Sequence, residues 1–115
     1  MSIDKVNVYA RRGLVVMAIA FLSACATLEF GQDFDPKGFH SWVKRGTTTQ
    51  AEVKNKVGEP TNKGLVVESD GNELERWVYY YGKGKMNDMQ NAQFKMLEVR
   101  FDSSKKVVSY NWSAE

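Results

Sequence analysis

The 115 residues hold one cysteine, Cys25, preceded by Leu22, Ser23 and Ala24. A thiolate is nucleophilic enough to take a diacylglycerol group as a thioether. Small neighbours let the chain enter a peptidase groove. Other reactive side chains are sparse. His40 is the only histidine. It has no carboxylate partner at helical spacing, so a capped or exposed structural ring is expected. With Cys25 acylated, no thiol remains for a disulfide, a redox couple or a metal. Zinc and Cys/His nucleophilic sites are thereby excluded. Asp33 and Asp35 lack the further ligands that calcium needs. They read as charges favouring a helix N-terminus. Gly82-Lys-Gly-Lys85 lacks the phosphate-loop pattern. It reads as a solvated loop whose Lys83 and Lys85 can face anionic lipid headgroups. No cofactor, metal or catalytic set is expected.

The segment around Cys25 supplies its context. Lys5, Arg11 and Arg12 precede an apolar run, residues 13–22, which ends in Leu22-Ser-Ala-Cys25. A positive start, a short apolar stretch and small residues at the end form a secretory signal. Leucine three places before the cysteine, then two small residues, is the lipobox of bacterial lipoproteins. Residues 1–24 are therefore expected to be a lipoprotein signal peptide, with Cys25 the lipidated first residue of the mature protein. The twelve residues 13–24 fall short of the roughly 20 that cross a bilayer as a helix. A buried core helix would show a polar residue every third or fourth place. Residues 14–22 show none. The Arg11-Arg12 pair lacks the flanks of a twin-arginine signal. More than one acyl chain gives stable anchoring. Ala26, where inner-membrane retention uses Asp, points to the periplasmic face of a Gram-negative outer membrane.

Removing residues 1–24 leaves 91, enough for one small core. It also removes Lys5, Arg11, Arg12 and Asp4, taking 16 basic and 14 acidic residues to 13 of each. Nucleic-acid binding wants a basic excess, so none is expected. With no disulfide, the core must rest on large side chains. Twelve aromatics, from Phe30 to Trp112, suit that task.

The elements follow from period and punctuation. Residues 25–33 show no period and read as a lipidated tether, with the domain occupying 34–115. Asp35-Pro36 opens a helix over 36–45 with Phe39, Trp42 and Val43 on one face. Thr49 and Glu52 form a capping box for a second helix, which Gly58 and Pro60 end near Val57. After Pro60 the period becomes two. Asp70-Gly71 is a hairpin signal. Trp77, Tyr79 and Tyr81 share one face of a strand, and Arg76, Val78 and Tyr80 the other. Residues 82–88 read as a loop. Leu97, Val99 and Phe101 face inward from a strand over 96–101. The last strand covers 107–112. The class expected is α+β: two short N-terminal helices packed on a three- to four-stranded antiparallel meander. The sheet face left uncovered by helices would offer Tyr80 or Trp112 to a partner.

Gly46-Thr-Thr-Thr-Gln-Ala-Glu-Val53, Val57-Gly-Glu-Pro60, Glu75-Arg-Trp-Val-Tyr79 and Leu97-Glu-Val-Arg-Phe-Asp102 resemble the SmpA/OmlA family of outer-membrane lipoproteins, the BamE-like family. The likeness extends from Cys25 to Trp112. It implies a two-helix, three-stranded α+β fold and a non-enzymatic scaffold role. It also implies contacts with the β-barrel assembly machinery and with phosphatidylglycerol. Related members and the repeat unit of β-lactamase-inhibitory proteins share the motifs or the fold. The second expectation is therefore an envelope-stress or inhibitor-like module that binds another periplasmic protein or an anionic phospholipid.

Overall fold

A computed structural model describes residues 26–115, so Cys25 and the expected signal peptide over 1–24 lie outside the described residues. The chain runs β1 (Thr27–Phe30), α1 (Pro36–Trp42), α2 (Gln50–Val57), β2 (Asn62–Val67), β3 (Glu73–Lys85), β4 (Asp88–Phe101) and β5 (Val107–Ala114). It forms two compact units. The larger, here the body, is Glu29–Lys83 with Gln93–Glu115. The described part of the smaller is residues 26–28 and 84–92.

The class is α+β, with two helices and one antiparallel sheet. The sheet has five strands, not three or four. Its path is β1-β3-β4-β5, and β2 also pairs with β3. β2 takes the first half of β3, with Val67 opposite Glu73 and Asn62 opposite Val78. Gly31, just after β1, lies against the Tyr80 backbone, farther along β3. A Cβ there would overlap the Tyr80 carbonyl, and its φ of +74° suits glycine. The segment read as a tether thus contains a strand, and the sheet begins before residue 34.

Both helices form where their caps are written, but α1 is shorter than expected. Pro36 fills its first position. Val43 is already extended, with φ −67° and ψ 140°. The next backbone groups are claimed elsewhere. Thr48 Oγ1 accepts the Lys44 N–H at 2.8 Å. Gly46 N–H donates to the Val107 carbonyl at 2.7 Å, and Val107 N–H donates to Thr48 at 2.9 Å. The loop is bound to β5, so it cannot continue the helix. In α2 the capping box forms as expected. The Glu52 N–H donates to Thr49 Oγ1 at 3.2 Å, and the Thr49 N–H donates to Glu52 Oε1 at 3.3 Å.

The expected loop at 82–88 is largely strand. β3 runs to Lys85, and β4 starts at Asp88, eight residues before the clean alternation at 96–101. Glycine suggested a loop. In a strand it can instead mark close approach. A Cβ on Gly82 would overlap the Phe30 ring. Strand pairing here overrides weak local preference.

The body's core lies between the helices and one sheet face. Phe39 and Val53 meet Trp77, Tyr79, Leu97, Val99, Phe101 and Val107. Trp77 and Phe101 pack edge to face, with centroids 5.0 Å apart. The expected inward sets Trp77/Tyr79/Tyr81 and Leu97/Val99/Phe101 are all buried.

Candidate interaction surface

Alternation along β3 sends Tyr79 to the helix side and Tyr80 to the other. The Tyr79 hydroxyl donates to the Gly58 carbonyl at 2.8 Å. Burial, then the Glu59 charge, pushes its phenol well above the usual range. Tyr80 is 46% exposed. Gly82, two residues on, shares its side of the sheet, and the Phe30 ring covers it. Phe30 in turn stands 6.4 Å from Phe94, ring to ring. Phe30, Tyr80 and Phe94 are all exposed. Together they give the body an aromatic patch on the sheet face without helices. Exposed aromatics that need no new folding are good anchors for a partner protein.

Charge flanks this patch on the same face. Glu98 accepts from Arg100 Nε and from Asn111 Nδ2, each at 3.1 Å. Arg76 Nε, 4.0 Å from Glu98, adds charge without a hydrogen bond. Burial pushes the Glu98 carboxyl upward. The Asn111 and Arg100 bonds and the two guanidinium charges outweigh it and hold the group below the usual range.

On the helix side, His40 Nδ1 and the Tyr110 hydroxyl are 2.7 Å apart. The exposed imidazole also lies 6.4 Å from the Trp112 ring. These three line a shallow cleft of about 380 Å³ with Arg45, Ser109 and Asn111. Asp33 and Asp35 line a different cleft, also about 380 Å³, with Trp42 and Lys56. His40 and the two carboxylates are thus not gathered into one site. Asp33 accepts from Lys95 Nζ at 2.8 Å, which lowers its carboxyl pKa. Asp35 occupies the α1 N-cap position, yet its side chain makes no capping bond. Among the described residues no three His, Cys, Asp or Glu side chains group as metal ligands. None of the described helices is long and apolar enough to cross a membrane.

The structure separates the residues expected to meet a partner. Tyr80 stands in the exposed patch. Trp112 does not join it. Opposite Leu97 in the sheet register, it points to the helix side and packs half-buried on the core. Lys83 belongs to the body and Lys85 to the smaller unit, both exposed. Cys25 is outside the described residues. Phe30 and Phe94 were missed as surface residues. The only sequence hint for Phe30 is the alternation of Thr27-Leu-Glu-Phe30, too short to establish a period, and nothing local marks Phe94. Comparisons with protein-family models, with curated proteins and with solved structures give no match.

Proposed function

We propose that the chain is a lipoprotein held on the periplasmic face of a Gram-negative outer membrane by acylated Cys25. It serves there as a non-catalytic adaptor. The observation that carries this reading is the Leu22-Ser-Ala-Cys25 pattern behind a positive, apolar leader. The body supports it with an exposed aromatic patch at Phe30, Tyr80 and Phe94. The SmpA/OmlA resemblance suggests β-barrel assembly as the process served. Cys25→Ala should release the protein from membranes while its thermal melt stays unchanged. A membrane-bound variant would remove the anchor. Affinity purification from solubilised membranes should recover barrel-assembly subunits. Recovery of a different periplasmic protein instead would favour the inhibitor-like reading of the same patch.

A further inference from the structure

The smaller unit carries three large apolar side chains on its outside. Of its twelve described residues, Leu28, Met86 and Met89 are 49%, 52% and 49% exposed. The charged side chains among these described residues are Lys85 and Asp88, which cancel. A soluble hairpin tip normally keeps large apolar side chains out of water, and a cluster of them marks a contact surface.

The chain itself says what meets that surface. The Met86 N–H donates to the Ala26 carbonyl at 3.2 Å. Strand β1 begins at Thr27. Ala26, the residue that follows Cys25, is therefore already bonded to the β3–β4 hairpin, with no tether between. One extended residue spans at most about 3.3–3.6 Å. Once Cys25 is acylated, Ala26 must lie within a residue's length of the membrane. Met86, bonded to it, lies there too. The lipid interface is several ångströms deep on each side of the hydrocarbon. Leucine and unbranched, polarizable methionine suit such a layer.

We propose that Leu28, Met86 and Met89 dock into the bilayer interface beside the acyl chains. This rests on the lipoprotein reading above and adds to it a protein contact with the membrane. Because the charges of Lys85 and Asp88 beside these side chains cancel, the docking is apolar and does not require anionic lipid.

The test uses full-length protein, processed and acylated in cells, then reconstituted in phosphatidylcholine vesicles. Acylation leaves no native thiol, so Met86→Cys and Met89→Cys each offer one labelling site for an environment-sensitive dye. Expected is a blue-shifted emission that brominated acyl chains quench, unchanged by high salt or by added anionic lipid. Adding Leu28→Asp to each labelled protein should lift the quenching while acylation persists. Acylated protein with unquenched labels overturns the docking and leaves the lipoprotein reading intact. Quenching that survives Leu28→Asp shows mere tethering and also overturns it. So does quenching that high salt abolishes. A blue shift without quenching means a protein, or a second copy, covers the tip. Absence of acyl chains on Cys25 overturns both readings.

Discussion

Tyr79 and Tyr80 are neighbours in the chain and opposites in environment. Tyr79 is 3% exposed, and its hydroxyl is bonded to the Gly58 carbonyl. Tyr80 is 46% exposed, on the sheet face that carries Phe30 and Phe94. One residue's alternation thus separates a side chain that joins sheet to helix end from one free to meet a partner.

The pair therefore predicts opposite phenotypes. Tyr79→Phe removes one hydrogen bond and keeps the ring, so it should cost about 0.5–1.5 kcal/mol. Tyr80→Ala should change stability by no more than about 0.5 kcal/mol, as for other exposed sites. Combined with Phe94→Ala, it should sharply reduce the yield of co-purifying protein. Urea melts and quantitative pull-downs measure the two effects. Unchanged recovery by the double variant would move the interaction off this patch.

Trp77→Ala is expected to be the most damaging single truncation in the sheet. Trp77 is 3% exposed and packs on Phe101. Its indole N–H also donates to Glu75 Oε1 at 3.0 Å. Aromatic-to-alanine changes in cores cost about 3–5 kcal/mol. Small domains have about 5–15 kcal/mol to lose. The urea midpoint should fall steeply, and a shift comparable to that of Tyr79→Phe would contradict the packing.

Thr49→Ala tests the α2 start. The hydroxyl accepts the Glu52 N–H. Losing an N-cap costs about 0.5–2 kcal/mol. Thr49→Ser keeps the acceptor and should recover most of that loss. Equal melting temperatures for the alanine and serine variants would show that the methyl group, not the cap, matters.

These elements differ in how clearly the sequence announces them. α2 was legible because a Thr-x-x-Glu box and a terminal Gly act through local bonds. The inward faces of β3 and β4 were legible because Trp77/Tyr79/Tyr81 and Leu97/Val99/Phe101 alternate. The early half of β4 was not. Its residues 88–95 have no β-branched members, and only pairing with distant residues makes them a strand. β1 escaped for a related reason, since four residues cannot show a convincing period. The side that Trp112 faces is not written in composition: its register opposite Leu97, set by pairing with β4, decides it.

The Glu98 cluster predicts how the body responds to acid. Its carboxyl lies below the ordinary value of 4.5 in the folded protein. Between those two pKa values the unfolded chain binds more protons, so stability rises with pH there. The contribution is complete above 4.5 and is lost as pH falls through the folded value. Glu75 shifts the same way, held down by hydrogen bonds from Gln50 and then Trp77. Glu98→Gln keeps the size and removes the charge. Charge-assisted bonds contribute about 1.5–3 kcal/mol, and part of that is screened because Arg100 is one-third exposed. At neutral pH the variant should therefore be less stable by about 1–2 kcal/mol. The gap should begin to narrow as pH falls below the ordinary value of 4.5, where the unfolded chain takes up the proton first, and should close below the lower folded value, where folded Glu98 is protonated as well. Urea midpoints across that range measure it, and a gap independent of pH would mean that shape, not charge, makes Glu98 matter.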